Sequence, residues 1–222
     1  MQPNYDLTND NAARAGSWVY TYILPFYDVS VLWFSNSFIW QCPSKHILDF
    51  YNDHISANHL DVGVGSGYFL DHCQFPSATP QVVLADLNPD CLRVTARRIK
   101  RYQPRIVTAN LFEPLGLTTT FDSIGINYVL HCLPGTMANK SVVFKNLRRV
   151  LNPGGKVFGT TILGQGIERS AAARSLMRYY NSKRLFSNHD DSLVALERIL
   201  QENFTTYTVH IRGCVAFFVG EH

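Results

Sequence analysis

The chain has no CxxC pair, no HxxxH spacing, no bilayer-length apolar run and no strong excess of either charge. Each absence removes a class of function. Cys42, Cys73, Cys91, Cys132 and Cys214 are odd in number and widely spaced. With no secretory leader at the N-terminus, they fit reduced thiols in a cytoplasmic protein better than a disulfide framework. His46, His54, His59 and His72 lack zinc spacing, so no metal site is expected. The longest apolar run, Val29 to Trp40, is interrupted by Ser30, Ser35, Asn36 and Ser37 and is too short to span a membrane. Ser66 and Ser170 have no nucleophile-elbow context, which leaves hydrolase chemistry unsupported. Tyr179 and Lys183 match the YxxxK pattern of short-chain dehydrogenases, but the matching glycine motif is missing. The net charge is only +3, and basic residues gather in one stretch, Arg93 to Arg101. That stretch alternates with Leu92, Val94, Ile99 and Tyr102, so it reads as the wet face of an amphipathic helix, and no nucleic-acid partner is expected.

What is present is the material of one globular domain. The 222 residues are 46% apolar and 17% charged, enough for a single full core. Residues 1–42 read as an aromatic-rich helical cap, since all three tryptophans fall between Trp18 and Trp40. From residue 43 to 222 the chain reads as one α/β unit within the same structural domain. A helix from Pro43 to Asp53 precedes strands at His59–Gly63, Val82–Asp86, Arg105–Asn110, Ser123–Asn127 and Gly155–Ile162, with helices between them, including Lys140–Leu151. This alternation predicts a mostly parallel sheet covered on both faces. Two last strands, Thr206–Ile211 and Val215–Gly220, are joined so tightly that they must be antiparallel. The expected architecture is a seven-stranded, three-layer α/β/α fold with a terminal antiparallel hairpin.

The most informative residues lie where the first strand ends. Gly63, Gly65 and Gly67 occupy every second position after a buried strand, which lets the backbone turn sharply and approach a ligand with no side chain between. The spacing is GxGxG, whereas the dinucleotide fingerprint is GxGxxG. Asp86 ends the second strand, where a carboxylate can accept hydrogen bonds from both hydroxyls of a ribose. The alternative is a turn or helix-capping Asp before Asn88-Pro89.

With HLDVGVGSGYFL, LADLNPDCL, FDSIGINYVLHCLPG and LNPGGKVFGTTIL in this order, the chain resembles the class I S-adenosylmethionine-dependent methyltransferases, small-molecule UbiE-like type. The resemblance covers about Trp40 to Leu163 and implies a Rossmann-like fold. It also implies S-adenosylmethionine as cofactor, S-adenosylhomocysteine as product, and methyl transfer to a small acceptor in quinone, lipid-like or secondary-metabolite biosynthesis. Asp61, Gly63, Gly65, Ser66 and Gly67 would line the methionine and ribose parts, Asp86 would hold the ribose, and Leu87 would pack on the adenine. Asn110 and Leu111 stand where the adenine amino group is read, and Asn127 stands where sulfonium and acceptor meet.

His131 is the candidate base, because an imidazole titrates near neutral pH, or else a packed histidine. Tyr27 is a cap residue that either touches the methionine end, with a catalytic part, or packs. If the aromatic cap lines the pocket, the acceptor is apolar or aromatic. Two alternatives remain at this point: a nicotinamide-dependent oxidoreductase, and a methyltransferase-like binding protein without methyl transfer.

Overall fold

A computed structural model describes the backbone of residues 28–222 and the side chains of residues 34–222. Tyr27 and the cap residues before it lie outside the described residues. A π-type helical segment, Asp28–Ile39, leads into α1 (Ser44–His54), β1 (Asn58–Val62), α2 (Tyr68–His72), β2 (Gln81–Asp86), α3 (Pro89–Arg98) and β3 (Arg105–Thr108). Then follow β4 (Phe121–Asn127), α4 (Met137–Arg148), β5 (Leu151–Ile162), α5 (Ala171–Ser182), α6 (Leu193–Asn203), β6 (Thr206–Arg212) and β7 (Val215–Glu221).

The strands form one sheet in the order β3-β2-β1-β4-β5-β7-β6. The first five are parallel, and β7 runs antiparallel between β5 and β6. Strand order reverses between β1 and β4, which opens a crevice at their carboxyl ends, the place where ligands bind in such sheets.

Alternation divides the core. Leu60, Val62, Ile124, Ile126 and Phe218 pack on one side with Phe144 of α4 and Leu196 and Leu200 of α6. On the other side Leu84, Phe158 and Phe217 pack with Ile47, Phe50 and Tyr51 of α1 and Leu92 of α3. Trp40, the described end of the cap, is buried, and its carbonyl accepts the Cys214 N–H at 2.8 Å. Gly213 sits at φ +55° in the β6–β7 turn, where a Cβ would lie 2.2 Å from that same carbonyl oxygen. The cap is thus stitched to the terminal hairpin.

Of the boundaries that differ from the sequence reading, two have a clear local cause. Helix α4 begins at Met137 rather than Lys140, because Thr136 and Asn139 form a reciprocal capping box. Its third position is Asn instead of the usual Glu or Gln, so the signature is easily missed. Thr136→Ala should cost about 1 kcal/mol, read as a lower urea midpoint at unchanged slope. Strand β5 begins at Leu151 rather than Gly155, and the Asn152-Pro153-Gly154-Gly155 run is a bulge within it. Phe121 pairs with Leu151 and Ser123 already with Lys156, so the run loops out, with Gly154 at φ +74°. The Arg93–Arg101 stretch is a paired helix face as expected: Arg93 bonds to Asp90, and Arg98 and Arg101 both bond to Asp71.

Candidate active site

The crevice is built from the loops after β1, β2 and β4. In the first, Gly63, Gly65 and Gly67 all take left-handed backbone, with φ of +67°, +53° and +72°. Their roles differ. A Cβ on Gly63 would lie 2.3 Å from Val129 Cγ2 and one on Gly67 2.7 Å from Thr95 Cγ2, so these two let neighbouring segments close in. A Cβ on Gly65 would meet nothing within 4 Å, so Gly65 leaves an open cradle that a ligand can enter. The loop is pinned from below by the Gly63 N–H on Ala85 O (2.8 Å), Thr95 Oγ1 on Gly65 O (3.1 Å) and Arg98 Nη1 on Ser66 O (3.0 Å). Ser66 is itself buried.

Asp86 reaches the same cradle from the end of β2. Its carboxylate accepts the Asn88 N–H at 2.8 Å, and the nearby backbone N–H groups of Gly65 and Val64 also favour its charged form. Burial nevertheless raises its pKa, outweighing those donors. The capping alternative for Asp86 falls to its neighbour: Asn88 is the N-cap of α3 and accepts the Asp90 N–H at 2.9 Å. Leu87 beside it is half-exposed, an apolar surface facing solvent at the mouth.

On the other side of the loop Asp61 is buried, hydrogen-bonded to Tyr51 and near His59. Asn127 ends β4. Its Oδ1 accepts from Thr160 Oγ1 at 3.1 Å, while its buried Nδ2 has no acceptor among the described residues. A buried donor left unmade costs about 1–3 kcal/mol, so this amide asks for an acceptor that a ligand can supply. Tyr128 follows at φ +57°, an uncommon conformation for a bulky residue, and its hydroxyl donates to Asn36 Oδ1 at 3.1 Å. The end of β4 is thereby tied to the described part of the cap.

His131 is almost fully enclosed. Its Nδ1 accepts the Ile162 N–H at 3.3 Å and lies 3.4 Å from Thr161 Oγ1, and its ring meets Phe186 edge-on at 4.5 Å. Burial, with Lys140 adding like-charge repulsion, lowers its pKa to about 3. The ring is therefore neutral at physiological pH with its lone pair already engaged, which fits packing better than a strong base.

Of the adenine-side pair, Asn110 spends its amide locally, accepting the Phe112 N–H at 3.1 Å and donating to Glu113 Oε1 at 3.2 Å. Leu111 turns its side chain into the core, and its carbonyl accepts from Asn146 Nδ2 at 3.0 Å. The structure thus brings Asp61, the glycine loop, Asp86, Leu87 and Asn127 around one crevice, while Leu111 does not line it with its side chain. Tyr51 of α1 carried no sequence motif and reaches Asp61 through its hydroxyl, while Tyr128 and Val129 lie within the FDSIGINYVLHCLPG segment, Val129 against Gly63.

These residues fit a nucleoside-bearing amino acid: an open glycine cradle, a fixed carboxylate for a diol, and an unspent amide donor for a carboxylate. The comparisons with known proteins agree. A methyltransferase-domain family profile matches residues 60–157. The demethylluteothin O-methyltransferase of Streptomyces thioluteus is 39% identical over 88% of this chain and 85% of its own length. A physcion biosynthesis cluster O-methyltransferase of Aspergillus chevalieri is 34% identical over 88% and 89%. In fold the chain is similar to the N-methyltransferase NodS of Bradyrhizobium japonicum in complex with S-adenosyl-L-homocysteine, at a TM-score of 0.56 and 16% identity, over 80% of this chain and 84% of that one.

Proposed function

Because the chain belongs to the class I S-adenosylmethionine-dependent methyltransferases, we propose that it methylates a hydroxyl group of a small apolar or aromatic metabolite. Bound S-adenosylmethionine supplies an electrophilic methyl group. Membership in this family sets aside the nicotinamide-dependent oxidoreductase.

The observation that supports the cofactor seat is the unspent Nδ2 of Asn127 at the end of β4, the strand beside β1, whose end carries the glycine loop. In this reading Asp86 takes the ribose hydroxyls, the cradle at Gly65 passes the backbone close to the ligand, and Asp61 and Asn127 hold the methionine end. Leu87 lies against the adenine. The half-spent amide of Asn110 leaves adenine recognition there mainly to backbone groups.

The chain's own contribution to rate is placement and exclusion of water, which reaches about 7–11 kcal/mol when two reactants are held in line. Tyr128, Phe186 and His131 form the acceptor wall. The acceptor's hydroxyl proton passes to water, since the Nδ1 lone pair of His131 is already engaged by the Ile162 N–H. Because burial keeps His131 neutral down to about pH 3, kcat/KM should show no acid limb near the ordinary imidazole value of about 6.5. A pH–rate profile with such a limb, abolished by His131→Asn, would mean that the ring is solvated and basic in the loaded enzyme. All five cysteines are free thiols, which supports placing the protein in the cytoplasm.

The acceptor reading is supported by two O-methyltransferase relatives, one named for demethylluteothin and one for a physcion biosynthesis cluster. It is tested by incubating the protein with S-adenosylmethionine and hydroxylated aromatic compounds, demethylluteothin first. An O-methylated product by mass spectrometry is expected; methylation only at nitrogen or carbon would sink the hydroxyl assignment.

A further inference from the structure

Beneath the glycine loop, the face of β1 toward α1 carries a chain of polar groups that runs from part-buried Ser56 to buried Asp61. Ser56 Oγ donates to Asn58 O at 2.8 Å, and Ser56 N–H donates to Ser123 Oγ at 2.9 Å. The two serine oxygens are 2.8 Å apart, and Ser123 Oγ is 2.8 Å from His59 Nδ1. His59 Nε2 lies 3.4 Å from Asp61 Oδ2, which also accepts from the Tyr51 hydroxyl. His59 has no exposed surface and Asp61 is 6% exposed. Gly125 on β4 makes room for the group, since a Cβ there would lie 2.9 Å from Asp61 Oδ2 and 3.2 Å from His59 Cε1.

Counting hydrogens along this chain decides where the protons sit. The one hydroxyl hydrogen of Ser56 is spent on Asn58 O. The contact between the serines must then use the hydrogen of Ser123. That leaves Ser123 Oγ two lone pairs, one for Ser56 N–H and one for His59, so His59 Nδ1 carries a proton. A neutral imidazole protonated at Nδ1 presents a lone pair at Nε2. This lone pair faces a carboxyl oxygen in a dry interior, where two lone pairs repel and a proton between them makes a hydrogen bond.

We infer that His59 holds Asp61 as a neutral carboxylic acid in the free protein, and that binding of the cofactor's ammonium group releases that proton to solvent. The inference rests on the reading that seats the methionine end at Asp61. When the proton leaves, the Oδ2–H bond breaks, the electron pair stays on the carboxylate, and the arriving cation takes the place of the lost positive charge.

The surroundings agree. Burial, with the charge of Asp86 across the loop, raises the pKa of Asp61 well above the usual carboxylate range, and burial lowers that of His59 to about 3. Of the other titratable groups facing the pair, Tyr51 donates to it, and Cys73 is an uncharged thiol that burial pushes up to about 12.

Two measurements test this. In the free protein, ¹⁵N NMR of the imidazole should show His59 uncharged and protonated at Nδ1; a proton at Nε2 would overturn the inference. Calorimetry of S-adenosylhomocysteine binding in buffers of differing ionisation heat should show close to one proton released. Affinity should rise about tenfold per pH unit below the pKa of Asp61. Asp61→Asn should abolish this release while Asp86→Asn keeps it. His59→Asn retains an N–H for Ser123 but offers no lone pair to Asp61, and should shift the pH dependence toward acid. Binding without proton release overturns the inference and leaves the cofactor seat standing. No binding at all overturns both.

Discussion

Replacing Lys140 with methionine should cost the fold about 3–5 kcal/mol, the usual effect of stranding a buried charge. Lys140 and Asp191 have side-chain exposures of 0% and 1%, and Nζ donates to Asp191 Oδ2 at 2.7 Å and to Ser187 O at 2.8 Å. Burial lowers the pKa of the lysine and raises that of the aspartate, so both pay for leaving water even while paired. Methionine fills much the same space, which isolates the loss of the charge. The thermal midpoint should fall by roughly 10 °C for a chain of this size.

The sign with pH is definite. In the variant Asp191 is left with a folded-state pKa raised above its unfolded value, so the folded state binds the extra proton. The deficit is fully present above that raised value and shrinks as pH falls toward the ordinary carboxylate value of about 3.9. Adding Asp191→Leu should recover most of the loss, because a buried ion pair is commonly replaceable by well-packed apolar groups. Urea melts of the single and double variants decide it; a double variant no better than the single would show that the lysine stem, not the pair, carries the stability. Activity should suffer as well. Ser187 N–H donates to His131 O at 2.7 Å, so this ion pair anchors the segment that sets Phe186 against His131.

Asp86→Ala should weaken S-adenosylhomocysteine binding by about 1.5–3 kcal/mol, the range for hydrogen bonds to a charged group. Two losses add here. The ribose hydroxyls would lose their acceptor, and the Asn88 N–H would lose the carboxylate that fixes the turn after β2. Asp86→Asn should sit between wild type and alanine, since an amide oxygen still accepts but carries no charge. Titration calorimetry with NADH as the control checks both the site and the cofactor class. Unchanged affinity in Asp86→Ala would move the ribose seat elsewhere in the crevice.

Much of this was legible in the chain. Strands β1, β2 and β4 announced themselves as short apolar runs because parallel strands are buried on both faces. The glycine loop and Asp86 were legible because they follow those strands at short range. The start of α4 was missed because its capping box uses Asn139, and β5 was begun at Gly155 rather than Leu151 because proline and glycine, which form a bulge here, also signal a break. Leu111 was placed at the adenine by its position after β3, yet its side chain packs inward.

The sequence by itself determined the alternation of helix and strand, the antiparallel end, the glycine loop after β1 and the acid that ends β2, because each depends on residues close together in the chain. Only the tertiary structure decided that His131 is enclosed and neutral, that Lys140 is buried against Asp191, and that His59, dismissed as a zinc ligand, faces Asp61. Solvation and charge state depend on partners brought from distant strands and helices, such as Ser123, which is 64 residues from His59. No local pattern encodes a desolvation cost; it exists only once the sheet has closed over the group.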